Sequence, residues 1–131
     1  MRVKKMDIII AEDDPVNQKV IKMMLSKLGI HAEATDNGLE VLQALERQHY
    51  DIVLMDIQMP ELDGIEATKI IRQRWPAGPK IIVITDCDSK TYQGPCMDAG
   101  ADEFLPKPVM VNELKRAIEH CKAAEKLFAI L

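Results

Sequence analysis

The chain has 131 residues with 17 basic and 21 acidic side chains, which give a formal net charge of −4 at pH 7. This length predicts one domain whose apolar core needs no disulfide staples, and the acidic balance excludes a basic surface for nucleic acid or an anionic membrane. Three cysteines without a C-x-x-C pair fit neither a disulfide framework nor a zinc site, and no apolar run approaches the roughly 20 residues of a membrane span, so we expect a cytoplasmic protein.

Short apolar runs alternate along the chain with amphipathic segments. Runs of Ile and Val predict strands, and apolar residues that recur every three or four positions predict helices. In chain order, these patterns predict a strand at 7–11, a helix at 15–29, a strand at 31–35, a helix at 37–48, a strand at 51–55, a helix at 64–74, a strand at 80–85, a short strand at 103–105 and a long helix from about residue 111 onward. Strands that alternate with helices are typical of parallel βαβ units, and continuous apolar strands are typical of a sheet covered on both faces. We therefore predict an α/β fold, a doubly wound domain with a five-stranded parallel sheet.

The segment between the last two predicted strands contains Gly94 and Pro95, where the alternation of elements predicts a helix. A proline inside a helix lacks an amide proton and its ring clashes with the carbonyl four residues back, here that of Thr91, which costs about 3 kcal/mol. A glycine costs about 1 kcal/mol relative to alanine. A helix that begins at Pro95 avoids both penalties. We therefore expect a short helix over Pro95–Ala99 and a loop over residues 86–94.

Polar side chains follow the predicted strands at their carboxyl ends. Glu12 and Asp13 follow the first strand, and Asp56 follows the third. Thr85 ends the fourth strand, and Lys107 comes after the fifth. Because ligands of open parallel sheets bind at this edge, where the strand order reverses, we expect the five residues to converge on one site.

The chemistry of these residues narrows the kind of site. Three carboxylates in a partly desolvated cleft repel one another, and a hard cation with oxygen ligands stabilises them. Mg²⁺ suits a small site of this kind, because it keeps several water molecules. A cation, the ammonium of Lys107 and the hydroxyl of Thr85 around one carboxylate predict a phosphoryl-binding site. Asp56 is then the candidate nucleophile, because aspartate forms acyl phosphates.

Four stretches together resemble the successive signatures of response-regulator receiver domains. They are "AEDDPVNQ" at 11–18, "VLMDIQMPELDG" at 53–64, "IIVIT" at 81–85 and "AGADEFLPKP" at 99–108. The first most resembles receivers attached to hybrid sensor histidine kinases. The resemblance implies a flavodoxin-like (βα)5 fold and a single receiver domain over residues 1–131 with a core at about 6–129. It implies either a stand-alone regulator or a receiver excised from a larger chain.

The resemblance implies a role for each matching acidic residue. Asp56 accepts a phosphoryl group from a phosphohistidine on a partner. Glu12 and Asp13 hold Mg²⁺, Glu12 through a water molecule. Asp56 itself and the backbone carbonyl of Gln58 complete the protein ligands of the metal.

The resemblance also implies a switch. Thr85 and Lys107 bind oxygens of the phosphoryl group, and Phe104 matches an aromatic residue whose rotamer follows that threonine. Lys107–Pro108 matches a cis peptide bond of the family. Phosphorylation then changes the face formed by the fourth helix, the fifth strand and the fifth helix.

The partners that the resemblance implies are proteins. A sensor histidine kinase or a histidine phosphotransfer protein acts upstream, and a downstream protein binds the switching face. We expect no nucleic acid partner, no membrane contact by this domain, and a monomer or weak homodimer. The expected role is that of a phosphoacceptor that assists its own phosphorylation and dephosphorylation, not that of an enzyme.

Three other functions remain open from the residues alone. A phosphatase resembling the haloacid dehalogenase class needs a second acid two residues after the nucleophile, where this chain has Gln58. A nucleotide-binding module needs a glycine-rich phosphate loop, and neither G-x-G-x-x-G nor G-x-x-x-x-G-K-[ST] occurs. A pseudo-receiver contacts proteins without being phosphorylated, and the presence of all five site residues argues against it.

Some of these residues have simpler interpretations. Asp13 or Asp56, taken alone, could cap a helix, and Asp63–Gly64 predicts a turn and a helix start. Asp86 departs from the family pattern, which has a small residue after the threonine. We expect Asp86 to slow phosphorylation by small anionic donors, since it adds negative charge beside the phosphoryl entrance.

Overall fold

The computed structural model describes residues 6–85 and 89–130, with the side chains of all of these except residues 89–90 and 123–130. Within these described residues, five strands alternate with five helices. In order, they are β1 (Ile8–Ala11), α1 (Pro15–Lys27), β2 (Ala32–Thr35), α2 (Gly38–Arg47), β3 (Ile52–Asp56), α3 (Gly64–Arg74), β4 (Lys80–Thr85), α4 (Ser89–Ala99), β5 (Glu103–Pro106) and α5 (Val111–Ile130). The predicted bounds are confirmed to within about two residues for every element except α4.

The strands form one parallel sheet in the order β2-β1-β3-β4-β5. Ile8 of β1 pairs with Ala32 of β2 on one side and with Ile52 of β3 on the other. The chain therefore moves outward in one direction from β1 and returns to continue in the other direction with β3. This switch point places the carboxyl ends of β1 and β3 side by side. The predicted doubly wound α/β fold is confirmed.

Helices cover both faces of this sheet, because alternate residues of a strand point to opposite faces. Ile10 belongs to a core cluster with Leu25 of α1 and Leu114 of α5. Its neighbour Ile9 belongs to a second cluster with Ile71 of α3. All five side chains are fully buried. Packing on both faces holds the strand ends in place, and these ends carry the site.

The start of α1 settles which acid caps the helix. The N-cap is Asp14, whose carboxylate accepts a hydrogen bond from the N–H of Val16 at 2.8 Å, and Pro15 occupies the first helical position. Asp13 precedes the cap and is exposed. The interpretation of Asp13 as a helix cap is therefore wrong. At the other end, Gly29 has a φ of +77° just beyond the helix, a conformation that glycine adopts without strain.

The structure of α4 contradicts the short helix expected from Pro95 and the loop expected at 86–94, of which residues 86–88 lie outside the described part of the chain. One helix runs through the segment with Pro95 inside it. The reason is burial on one face: Cys96 and Ala99 are 1% and 8% exposed, and Tyr92 packs against the same core cluster. Residues at this spacing share one face only in a helix. Pro95 is on the exposed face, and burial of the apolar face outweighs the local penalties of proline and glycine.

The expectations for Asp86, for the cysteines and for a membrane-spanning helix have different outcomes. Asp86 and Cys87 lie outside the described residues, so the expected effect of Asp86 stays a prediction. Cys96 and Cys121 are buried. None of the helices in the described part of the chain combines the length and the apolar character that crossing a bilayer needs.

Candidate functional site

The carboxyl ends of the central strands bring three acidic residues together. Glu12 directly follows β1, Asp13 comes next, and Asp56 is the last residue of β3. One carboxylate oxygen from each lies within 4.8 Å of those from the other two. Glu12 and Asp56 are buried, whereas Asp13 is exposed. The predicted convergence of the three acids is therefore present in the fold.

Lys107 brings a positive charge to the two buried acids. Its Nζ lies 3.1 Å from Oε2 of Glu12 and 3.4 Å from Oδ2 of Asp56. Its backbone N–H donates to the carbonyl of Thr85 at 2.8 Å, which ties the residue after β5 to the end of β4. The Lys107–Pro108 peptide bond is cis, as the resemblance implied. One ammonium group thus bridges two carboxylates that are far apart in the sequence.

The carboxylates of this cluster carry more negative charge than the ammonium of Lys107 offsets. Asp56 is 5% exposed, and its burial, followed by the negative charge of Glu12, raises its pKa to about 7 despite the opposing charge of Lys107. Burial by itself lowers the pKa of Lys107, but the charges of Asp56 and Glu12 outweigh this effect and raise it above its ordinary value. One ammonium therefore does not neutralise the carboxylates, and the ionised site favours a further cation.

The donor set fits a hard divalent cation such as Mg²⁺. All three side chains offer carboxylate oxygens, the ligands that Mg²⁺ prefers in proteins. The exposed position of Asp13 leaves one side of the cluster open to water, and Mg²⁺ usually keeps several water ligands. Burial, and after it the negative charge of Glu12, raises the pKa of Asp56, and a cation beside the carboxylate would favour its ionised form.

The start of α1 holds Glu12 in place, which the sequence analysis missed. Oε1 of Glu12 accepts hydrogen bonds from the N–H of Asp14 at 3.2 Å and from the side-chain amide of Asn17 at 3.5 Å. Its backbone carbonyl accepts from the side-chain amide of Gln18. The signal in the sequence is spacing, because Asn17 and Gln18 follow Glu12 by five and six residues and so lie on the first turns of the helix that starts beside it.

The loop after β3 folds tightly over Asp56. The N–H of Gly64 donates to the carbonyl of Ile57 at 2.8 Å, and a Cβ at Gly64 would lie 2.1 Å from the carbonyl oxygen of Asp56. Only glycine fits this position without a shift of the backbone. Asp63 is the N-cap of α3 and accepts from the N–H of Glu66 at 2.9 Å. The interpretation of Asp63–Gly64 as a turn and a helix start is confirmed.

The other predicted site residues belong to three neighbouring strands: Gln58 follows β3, Thr85 ends β4 and Phe104 is on β5. The N–H of Gln58 is 3.4 Å from Oδ1 of Asp56, and the Gln58 side chain is exposed. Asp56 pairs in register with Ile84, so the fully buried Thr85 lies one residue further along the neighbouring strand. Phe104 is half-buried on β5 against the core cluster on the side of α2, α3 and α4.

Comparison with known proteins identifies the family. The model of the response regulator receiver domain matches residues 8–119. Hybrid signal transduction histidine kinase K of Dictyostelium discoideum is 42% identical over 120 residues, which cover 86% of this chain and 10% of that kinase. The chain belongs to the response regulator receiver domain family of two-component signalling, and it spans about a tenth of the length of this relative.

Solved structures agree with this family. The receiver domain of sensor histidine kinase PA1611 from Pseudomonas aeruginosa, which has a magnesium ion coordinated in its active site cleft, is 36% identical with a TM-score of 0.79, and the match covers 89% of this chain and 97% of that chain. A second match is the co-crystal structure of the Saccharomyces cerevisiae histidine phosphotransfer signaling protein Ypd1 and the receiver domain of its downstream response regulator Ssk1. It is 28% identical with a TM-score of 0.79 and covers 85% of this chain and 84% of that chain.

Proposed function

We propose that this receiver domain is a phosphoacceptor in which Asp56 takes a phosphoryl group from a phosphohistidine of a sensor histidine kinase or a histidine phosphotransfer protein. The observation that carries the proposal is the setting of Asp56, a buried carboxylate at the switch point of the sheet, 3.4 Å from the ammonium of Lys107 and close to Glu12 and Asp13. An aspartate that only paired with a lysine would not need two more acids beside it, because they raise the free energy of its ionised form.

The proposed transfer is a displacement at phosphorus. A carboxylate oxygen of Asp56 attacks the phosphorus of the phosphohistidine, and the new O–P bond forms as the P–N bond breaks. The electron pair of the broken bond stays on the imidazole nitrogen, which takes up a proton. The ammonium of Lys107 and the hydroxyl of Thr85 stabilise the negative charge on the phosphoryl oxygens.

Four protein groups hold Mg²⁺ in this proposal. Asp13, Asp56 and the backbone carbonyl of Gln58 would be ligands, and Glu12 would act through a water molecule. When bound, Mg²⁺ offsets the negative charge of the carboxylates and of the phosphoryl group. The chain itself supplies the geometry, because Lys107 contacts both Glu12 and Asp56, and the burial of Asp56 limits the access of water to the acyl phosphate.

The upstream partner docks on α1 in this proposal. Val16, Val20 and Met23 are 68%, 43% and 56% exposed and recur at helical spacing on α1. A groove of about 440 Å³ beside this stripe is lined by Val20, Lys107 and Pro108, among others, and so reaches the site. An exposed apolar stripe next to the nucleophile fits an apolar helix face of the donor protein, which must cover this region to bring its phosphohistidine to Asp56.

A downstream protein reads the phosphorylated state on the face formed by α4, β5 and α5. Phosphorylation draws the hydroxyl of Thr85 toward the phosphoryl group, and Phe104 turns inward to fill the space that is left. Phe104 is half-buried on the edge strand β5, where it packs against the core cluster on the side of α2, α3 and α4. Structures with and without beryllofluoride test the switch, and an identical Phe104 rotamer in both would contradict it.

The central test is phosphorylation by acetyl phosphate followed by intact-protein mass spectrometry. We expect the wild-type protein to gain the mass of one phosphoryl group in the presence of MgCl₂ and none in EDTA. Asp56→Asn should gain none. Asp63→Asn is the matched control, because asparagine caps a helix as well as aspartate does and Asp63 is outside the carboxylate cluster. Labelling of Asp56→Asn at the wild-type rate would remove Asp56 as the acceptor, and steady turnover of a small phosphate ester would favour a phosphatase instead.

A further inference from the structure

The side-chain amide of Gln18 joins three segments at the edge of the site. Its Nε2 donates to the carbonyl oxygen of Glu12, lies 3.0 Å from the carbonyl oxygen of Thr35 and lies 2.9 Å from Oδ1 of Asp36. Gln18 is on α1, Glu12 follows β1, and Thr35 ends β2. One amide group therefore ties the first helix to the ends of two neighbouring strands.

These contacts lie where the backbone ladder between β1 and β2 stops. The N–H of Glu12 donates to the carbonyl of Thr35 at 3.1 Å, and the chain then turns at Asn37, the N-cap of α2. Beyond this point the carbonyl of Glu12 accepts from Gln18. That carbonyl belongs to the peptide group that joins Glu12 to Asp13. Gln18 therefore holds the plane from which both acidic side chains project.

The direction of Asp13 depends on this peptide group. The carboxylate of Glu12 is also held by Lys107, at 3.1 Å, and by the N–H of Asp14, at 3.2 Å. Asp13 is exposed between Glu12 and the helix cap, so its position follows from the backbone that carries it. A rotation of the Glu12–Asp13 peptide would move the Asp13 carboxylate away from the other two, with the rest of the sheet unchanged.

We propose that Gln18 is a positioning residue for the metal site. It fixes the peptide between Glu12 and Asp13 so that their carboxylates and that of Asp56 converge, and it does not contact the ion. The inference rests on the proposed magnesium site. Loss of such an outer partner typically lowers metal affinity about 10- to 100-fold.

Urea unfolding at a series of MgCl₂ concentrations tests this proposal. Each variant then gives two separate quantities, its stability in EDTA and its Mg²⁺ dissociation constant, the latter from the stabilisation that the metal produces. Gln18→Met keeps the length of the side chain and loses the donors, and we expect its dissociation constant to rise at least about tenfold. At saturating MgCl₂, its phosphorylation by acetyl phosphate should return to the wild-type rate. Gln18→Ala should show the same split between metal affinity and rate.

Two controls separate positioning from a general loss of stability. Gln73→Met makes the same chemical change on the exposed face of α3 and should leave the dissociation constant unchanged. Tyr50→Phe removes the hydrogen bond of 2.6 Å to Glu33 on β2 and should lower stability with wild-type Mg²⁺ affinity. A wild-type dissociation constant in both Gln18 variants, or a rise that Tyr50→Phe reproduces, would overturn the positioning role.

Asp13→Asn separates this inference from the proposed function. If MgCl₂ stabilises the wild-type protein and Asp13→Asn binds the metal more weakly, the magnesium site stands, and the result for Gln18 decides the positioning role alone. If MgCl₂ does not stabilise the wild-type protein, the magnesium site fails, and the role of Gln18 fails with it.

Discussion

Replacement of Asp56 by asparagine should make the metal-free protein more stable at neutral and alkaline pH. Burial and the charge of Glu12 raise the pKa of Asp56 from 3.8 to about 7. Between these two pH values, the folded protein keeps a proton that the unfolded chain has released. The stability that this proton contributes is fully present below the unfolded pKa and is lost as the pH rises through the folded pKa. Asparagine has a similar shape and no charge, so the variant avoids this loss.

The size of the gain follows from the shift in pKa. A rise of about three units corresponds to about 4 kcal/mol of free energy of unfolding, which is the upper limit for the gain at pH 8. The amide of the variant offsets part of it, because its NH₂ group does not accept a hydrogen bond from Lys107. We expect a net gain of about 2 kcal/mol at pH 8 and no gain at pH 5, where the folded wild-type protein still holds the proton.

Urea unfolding of both proteins in EDTA at pH 5 and pH 8 measures this difference. Asp63→Asn is the control, and its stability should track that of the wild-type protein at both pH values. In MgCl₂ at pH 8, the wild-type protein should become more stable than Asp56→Asn. The metal stabilises the wild-type site, whereas the variant offers it one carboxylate fewer. A variant less stable than the wild-type protein at pH 8 in EDTA, or an equal gain at both pH values, would refute the argument that burial and the charge of Glu12 destabilise the ionised form of Asp56.

Four other substitutions test separate parts of the structure. Lys107→Met leaves two buried carboxylates without their ammonium partner and should lower the free energy of unfolding at pH 8 in EDTA by about 3 kcal/mol, measured in urea. Gly64→Ala should destabilise the fold by about 3 kcal/mol, because its Cβ would meet the carbonyl of Asp56. A Cβ at Gly94 meets no atom within 4 Å, so Gly94→Ala should stabilise α4 by about 1 kcal/mol. Urea unfolding of both variants should therefore show changes of opposite sign in the free energy of unfolding. Val20→Glu should slow phosphotransfer from the cognate donor at least about tenfold and leave the rate with acetyl phosphate unchanged. If the variant and the wild-type protein accept the phosphoryl group from the donor at equal rates, α1 is excluded as the docking surface.

The convergence of the site could be predicted because it follows from topology. Glu12, Asp56 and Lys107 come at the ends of predicted strands, and parallel strands place such ends at one edge whatever the loops do. The sequence analysis missed Asp14 as the helix cap, although Pro15 favours the first helical position and so places the cap at the preceding residue. Gln18 was missed because one of its partners, Thr35, belongs to another strand, and spacing along the chain does not encode that contact.

The prediction for α4 was wrong because it counted local penalties alone. Pro95 and Gly94 together cost about 4 kcal/mol in a helix. Burial of a large apolar side chain contributes about 1.5 to 3 kcal/mol, and Tyr92, Cys96 and Ala99 reach the core from one face of this helix. The helix continues through Pro95, so this burial outweighs the local penalties and propensity did not decide the outcome. Packing decided it, and packing depends on residues of the sheet and of α3 that a local pattern leaves out.

A backbone hydrogen bond connects the end of β4 to β5, the strand that carries Phe104 in the proposed switch. The N–H of Lys107 donates to the carbonyl of Thr85 at 2.8 Å, so the two residues proposed to bind the phosphoryl group are joined through their backbones as well. Phe104 lies three residues before Lys107 on β5 and packs against the core cluster on the side of α4. In this proposal, a displacement of Thr85 toward the phosphoryl group therefore also affects the strand that carries Phe104. In this proposal a bound cation would offset the burial of Asp56 and the negative charge of Glu12, and Lys107 and that cation would then offset the negative charge that the phosphoryl group adds.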